Sequence, residues 1–433
     1  MSKRFICAAL MTALTAFPAL ASLTEKEQQA VDHIASTQGD AVALLKSLVS
    51  ENSGTMNFDG IRKNAHMMIP EFTALGFDAR FISGEKFDRA GHLIATKEGG
   101  KGPNILLIGH LDTVFAKDSP FQSFTMLDNG LATGPGISDM KGGNVIILQA
   151  LKGLKAAGEL DDMNIRVVMT GDEESSGRPL SLSKAALTEA AEWADVALGF
   201  EDGDGDPATA NTARRGAMGW ELTVTGVPAH SSQVFQPDIG AGAIYESARI
   251  LHSFYTNLRG EKLLTFNPGK IVGGTEVSMD EKASRGTAFG KDNVVAETTR
   301  VTGDIRTISM EQLDQTQATM REIVADNLPQ TSAEIAFDDG YPPMAPTEGN
   351  TQLLSMYSAI SEALDQGKVT AVDPRNAGAA DISFTATSVD MALDGLGMKG
   401  TGGHTVKETG DINSLTSQAQ RAALLMYRLK TAN

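Results

Sequence analysis

Three short apolar runs, each ending in a cluster of acids or histidine, constrain this chain more than any other feature. Asn104–Ile108 (NILLI) leads into Gly109-His110-Leu111-Asp112, and Ile165–Met169 (IRVVM) into Thr170-Gly171-Asp172-Glu173-Glu174. Val196–Phe200 (VALGF) leads into Glu201-Asp202. Runs of this length, bounded by Gly and polar residues, read as strands buried on both faces. Between the first two, Asn144–Ala157 carries Ile147, Leu148, Leu151 and Leu154 at helical spacing. Buried strands alternating with amphipathic helices predict an α/β fold, a mixed sheet flanked by helices. In such sheets the ligand site lies beyond the carboxyl ends of the strands, where these polar clusters fall.

The rest of the chain divides around that pattern. Thr24 and Glu27 have capping-box spacing and open a helix predicted to run toward Leu48. After Thr212 the texture changes. Trp220–Thr225 alternates like a half-exposed strand, and Ile239–Tyr255 reads as a helix. Asn293–Ala296 and Val301–Ile308 read as strands, Met310–Asn327 as a helix and Ala333–Phe337 as a last strand. The order β-α-β-β-α-β is that of a ferredoxin-like α+β unit. From Gly340 onward the first texture returns. The expected organisation is therefore a discontinuous catalytic domain, residues 22–211 and 340–433, with an inserted domain at 212–339. A length of 433 residues accommodates both.

The N-terminus reads differently. Lys3 and Arg4 precede an apolar stretch, Phe5–Leu20, that ends in Ala19-Leu20-Ala21. This is the pattern of a secretory signal peptide over residues 1–21, and it implies a periplasmic or secreted product. Its removal takes away Cys7, the only cysteine, so thiol chemistry is excluded from the mature protein. Lys plus Arg number 37 against 54 Asp plus Glu, a net charge of −17. That acidity argues against nucleic-acid partners and, once the leader is cleaved, against an anionic membrane surface.

The strand-end clusters are metal ligands in type. His110 and Asp112, Asp139 in Ser138-Asp139-Met140-Lys141-Gly142-Gly143, the pair Glu173-Glu174, Glu201, and His404 after Gly402-Gly403 offer imidazole and carboxylate without thiolate. That donor set suits catalytic zinc and also manganese or cobalt. Two adjacent glutamates point in opposite directions from an extended backbone, so one can bind metal while the other faces substrate as a base. The His-x-Asp spacing lets a carboxylate hold the far ring nitrogen of a ligand histidine.

Taken together, GHLDTVF (109–115), GPGISDMKGG (134–143), GDEESSG (171–177), GFED (199–202) and GTGGH (400–404) resemble the motifs of the dizinc aminoacylase and glutamate carboxypeptidase family of metallopeptidases. The resemblance implies two Zn2+ per chain, with Co2+ or Mn2+ as alternatives. Asp139 would bridge them, His110 and Glu201 completing one site, Glu174 and His404 the other. It implies Glu173 as general base, Asp112 as the partner of His110, and a cis peptide bond after Asp139. The inserted unit would be a lid and dimerisation domain. Its His230, in Ala229-His230-Ser231, would act across a homodimer, and Asn293, Arg306 and Gly378 would meet substrate. The implied reaction is cleavage of an amide or peptide bond beside a free carboxylate, with a small peptide or N-acyl amino acid as substrate. An N-acyl-amino-acid deacylase or a dipeptidase fits the same motifs, and a non-catalytic exported binding protein is the rival outside the enzymes. Tyr341 stands where the glutamate-type carboxypeptidases carry a further arginine, a departure that bears on side-chain preference.

Overall fold

The computed structural model describes residues 23–280 and 283–432. The leader assigned to residues 1–21 lies outside them. None of the described helices is long and apolar enough to cross a membrane.

The chain opens with two helices, α1 (Glu25–Ser36) and α2 (Gln38–Ser50), where one was expected. The capping box at Thr24 and Glu27 is present. The helix is interrupted at Thr37, whose hydroxyl bonds the carbonyl of His33 and the side chain of Gln149. Such local side-chain bonds compete with the helical ladder. Helix α3 (Phe58–Ala74) leads to β1 (Asp78–Ser83), β2 (Gly91–Glu98) and β3 (Lys101–His110). Next come α4 (Gly142–Ala156), β4 (Met163–Thr170), α5 (Ala185–Trp193) and β5 (Val196–Gly199).

The middle of the chain forms a second, antiparallel sheet. Its strands are β6 (Met218–Gly226), β7 (Thr265–Gly274), β8 (Thr298–Arg306) and β9 (Thr331–Phe337). Helix α6 (Ala243–Leu258) follows β6, and α7 (Met310–Ala325) follows β8. The sheet order β7-β8-β6-β9 is that of the expected βαββαβ unit, but its second strand lies elsewhere than predicted. Asn293–Ala296 is irregular, and Thr265–Gly274 takes that place. Pro268 and three glycines hide this strand from pattern reading; it lies at the sheet edge, with a register shift between Pro268 and Lys270. Edges and bulges are where strand proline is tolerated. Trp220, Leu222, Val224, Ile250, Phe254 and Met320 fill a core of its own beneath this sheet.

The chain then returns through α8 (Glu348–Ala363), β10 (Met391–Leu393) and α9 (Ile412–Thr431). The first sheet has the order β1-β2-β4-β3-β5-β10, antiparallel over its first three strands and parallel over the rest. Ile105 and Leu107 of β3 face a core shared with α4, while Leu106 and Ile108 face α5, so both faces are buried. Strands β4, β3 and β5 are parallel neighbours, so their carboxyl ends meet on one edge of the sheet. Helix α4 packs there through glycine. A Cβ on Gly143 would lie 2.0 Å from the Phe200 carbonyl oxygen, backbone that cannot give way.

Two glycine substitutions test this packing in opposite directions. Gly143→Ala should lower stability by about 1–3 kcal/mol through overpacking. Gly39→Ala, in α2 with nothing within 4 Å of its Cβ position, should raise it by about 0.5–1 kcal/mol. Guanidinium unfolding midpoints measure both, and equal effects would contradict the described fit of α4 against β5.

Candidate metal centre

Each strand end delivers one part of the site. His110 closes β3, Glu173 and Glu174 lie in the turn after β4, and Glu201 follows β5. Asp139 comes from the turn before α4, through a cis peptide bond to Met140. His404 comes from the Gly-rich loop before α9, held at φ +60°, in the left-handed region that few non-glycine residues adopt.

These side chains form two groups of potential metal ligands that share Asp139. Its Oδ1 lies 3.1 Å from His110 Nε2, which is 3.4 Å from Glu201 Oε1. Its Oδ2 lies 2.9 Å from His404 Nε2, which is 3.2 Å from Glu174 Oε2. Glu174 Oε1 is buried and has no hydrogen-bond partner. A buried carboxylate oxygen left without a donor is costly, and a cation at the group that contains Glu174 would resolve it. The oxygen and imidazole donor set, with one carboxylate facing both groups, fits a dinuclear metal centre.

Charge in the site points the same way. Burial pushes the Glu201 carboxyl up to about 7 and that of Asp202 to about 8, with Asp139 adding to both. Glu173 rises well above its ordinary value, first through burial and then through Glu201, Asp381 and Glu174. Burial acts against Asp139 too, but its bonds to His110 and His404 prevail and hold it well below the usual range. Bonds to Asp139 and Glu174 raise His404 to about 11. Without cations, protons are what keep these acids together.

A second tier of buried acids holds the backbone of the ligand turns. Asp112 accepts the amides of Glu173 at 3.0 Å and Glu174 at 3.2 Å, and the Thr55 hydroxyl at 2.7 Å. The ring nitrogen His110 Nδ1 lies 3.0 Å from the Asp112 carbonyl and 3.5 Å from its carboxylate. The main chain of Asp112 is thus the nearer partner of His110, and its carboxylate chiefly orders the two glutamates. Glu408 accepts the amides of Gly136, Ser138 and Asp139 at 2.9, 2.9 and 3.1 Å. Asp394 accepts the Glu201 amide at 3.4 Å and pairs with Arg214 at 2.7 Å. Beneath Glu173, buried Lys184 lies between Asp172 at 3.2 Å and Asp381 at 3.0 Å. Tyr341 donates to the Glu173 carbonyl at 2.8 Å. Sequence reasoning missed Glu408, Asp394, Lys184 and Arg214. Glu408, four residues after His404, was the one within reach of a motif.

The remaining sequence-predicted residues lie apart from the ligand groups. His230 is exposed; its Nδ1 is 2.8 Å from Ser232 Oγ and its Nε2 is 3.5 Å from Asn293 Nδ2. Arg306 pairs with Asp304 at 3.1 Å. The Gly378 carbonyl accepts from Arg214 at 2.7 Å, and its Cβ position faces open space. Among the described residues, no hydrogen bond or ion pair joins His230, Asn293 or Arg306 to the ligand groups.

Residues 106–428 match the model of peptidase family M20/M25/M40. The chain belongs to that family. Carboxypeptidase G2 of Pseudomonas sp. (strain RS-16) is 26% identical over 425 residues, covering 96% of this chain and 95% of that protein. A succinyl-diaminopimelate desuccinylase of Magnetococcus marinus is 25% identical over 418 residues, 90% of this chain and 98% of its own length. Among solved structures, aminopeptidase PepT from Bacillus cereus aligns with TM-score 0.71 at 18% identity, covering 90% of this chain and 98% of that one. A dinuclear metal-binding M20 peptidase from Bacillus subtilis aligns with TM-score 0.61 at 14% identity, covering 92% and 99%. The M20 chain is accordingly a metallopeptidase-class hydrolase, and its α/β fold is the one these neighbours share.

Measured against the loaded protein, stability without metal should fall as pH rises. In the folded chain Glu201, Asp202 and His404 hold protons that the unfolded chain releases at lower pH. The chelated protein should therefore lose stability as pH rises from about 4 to 8 through the acids, and above about 6.5 through His404. Metal-loaded protein should lack this decline. Thermal melts with and without chelator measure it, and parallel curves would argue against the ligand assignment.

Proposed function

We propose that this M20 hydrolase cleaves an amide or peptide bond next to a free carboxylate, as a carboxypeptidase-type exopeptidase. One observation carries the reading: a carboxylate, Asp139, faces two ligand groups at once, with Glu173 on the turn beside them. We assign His110, Asp139 and Glu201 to one metal ion and Asp139, Glu174 and His404 to the other, zinc being favoured and manganese or cobalt suited to the same donors. Bound there, the two cations would supply Lewis acidity and a water of lowered pKa. Glu173 takes the proton of the attacking water and delivers it to the departing amine. Asp112 keeps Glu173 and Glu174 on opposite errands by fixing the amide of each.

Arg306 and Asn293 are the groups we assign to the substrate carboxylate, with the open backbone at Gly378 as a further contact. Tyr341 is a phenol, which offers no cation for an acidic side chain, and its hydroxyl is engaged with Glu173 and Asp381. Similarity to a desuccinylase along nearly its whole length supports N-acyl-amino-acid deacylation as the second reading, with dipeptide hydrolysis close to it. We infer a homodimer in which His230 serves the partner's site. Exposed Phe235, Ile244, Tyr245, Ile271 and Phe289, all on the unit that carries His230, support an interface there. The basic-then-apolar start supports export.

Two experiments test the chemistry. Glu173→Gln should keep two metal ions per chain and lower turnover by about 10²–10⁴ on whichever amide is hydrolysed. Normal turnover, or loss of both metals, would reject the assignment. For the shared site, His230→Ala and Glu173→Gln chains should each be nearly inactive alone. As heterodimers they should regain part of the activity, because one of the two sites is then intact. Verified heterodimers without recovery would remove His230 from the partner's site.

A further inference from the structure

A cleft of about 710 Å3 opens on Glu174 and Ser175, beside the ligand group that contains His404. That volume is typical of small-molecule sites. Its walls come from the loop between α2 and α3, the start of α3 and the segment after β3. The two are joined by backbone bonds, Thr55 N to Thr113 O at 3.1 Å and Thr113 N to Ser53 O at 3.0 Å. Gly54 permits the approach, since a Cβ there would lie 2.2 Å from the Phe115 carbonyl oxygen. The platform is also tied to the site, because the Thr55 hydroxyl bonds Asp112, which holds Glu173 and Glu174.

From this fixed platform the next side chains along each segment, Met56 and Val114, stand 65% and 40% exposed in the wall of the cleft. Two apolar side chains held in water by ordered backbone, at the mouth of a reaction centre, form a surface suited to apolar contact. Methionine adds adaptability of shape. Charge in the cleft is nearly balanced: Arg62 pairs with Asp59 at 3.0 Å, and Lys117 is the remaining cation of the wall.

We propose that this cleft is the acyl-side subsite and takes an apolar acyl group, or an apolar side chain, of several carbons. Met56 and Val114 are then specificity-determining residues. The inference rests on the amide-hydrolase reading. With the scissile carbonyl at the ligand groups, the cleft that opens on Glu174 is the space beside it that an acyl group would fill.

The test compares kcat/KM of the metal-loaded protein for the acetyl, hexanoyl and succinyl derivatives of one amino acid. Hexanoyl should exceed acetyl by about 10-fold or more, since each fully buried methylene contributes roughly fourfold. Succinyl should not exceed hexanoyl. In Met56→Asp and in Val114→Asp the hexanoyl-to-acetyl ratio should fall to about 3 or below, and Met56→Leu should preserve it. Hexanoate should also inhibit the unsubstituted protein more strongly than acetate does, a difference the Asp variants lose. Equal rates for hexanoyl and acetyl, a preference for succinyl, or an unchanged ratio in folded, metal-loaded Asp variants would overturn the proposal. Hydrolysis without acyl preference sinks the subsite alone, whereas hydrolysis of none of the three amides sinks the reading of amide cleavage beside a free carboxylate and the subsite with it.

Discussion

Like charges crowded into a buried space are the constraint around which this structure is arranged. Asp139, Glu173, Glu174, Glu201 and Asp202 converge where three parallel strands end, and burial alone drives most of them toward their protonated forms. Carboxylates leave water only when donors or cations replace it. Everything near the site can be sorted by which of the two it supplies. Through Nε2 His110 and His404 each face two carboxylates, and Asp139 has one oxygen turned to each histidine. A pair of cations would discharge the rest. The sheet makes the crowding unavoidable, because β4, β3 and β5 lie side by side with their ends aligned.

Order in the site then comes from acids that bind no metal in this reading. Asp112, Asp394 and Glu408 each accept backbone amides from a ligand-bearing turn. An ionised carboxylate is the strongest acceptor a backbone N–H can find, and a backbone so held cannot drift when its side chain is pulled by a cation. Lys184 and Arg214 balance part of this second tier, pairing with Asp172, Asp381 and Asp394. Precision at the ligands is therefore a property of residues outside the motifs, as expected of metal sites whose supporting groups orient the ligands.

The potential ligand groups were partly readable in the sequence, because a strand buried on both faces has a plain signature and its carboxyl end has a known use. His110, Glu201 and the pair Glu173-Glu174 follow as candidates from that argument, whereas the choice of Glu174 over Glu173 and the parts given to Asp139 and His404 come from motif resemblance. The supporting acids were not readable. Glu408 reaches Asp139 across 269 positions, and Asp381 meets Lys184 and Thr170 through contacts that no local pattern announces. The second sheet failed in a different way. Thr265–Gly274 breaks the alternation with Pro268 and its glycines, which a strand tolerates only at an edge, and edge status is a tertiary fact. Thr37 likewise stops a helix through a bond to Gln149, more than a hundred residues away.

The hydrogen-bond state of each buried acid separates support from chemistry more sharply than its position does. Asp172 has both oxygens engaged by Lys184, Ser183 and Gly177, and its acidity stays on the ionised side. Glu408 is likewise filled, by three amides and a hydroxyl. Glu174, by contrast, keeps an oxygen buried without a donor, and Glu173 is fixed through its amide and carbonyl by Asp112 and Tyr341. A fold gains nothing by burying a carboxylate whose oxygen has no donor. In Glu174 that carboxylate belongs to one of the two potential ligand groups, and the adjacent glutamate, held by its backbone, keeps a carboxylate that can give and take a proton.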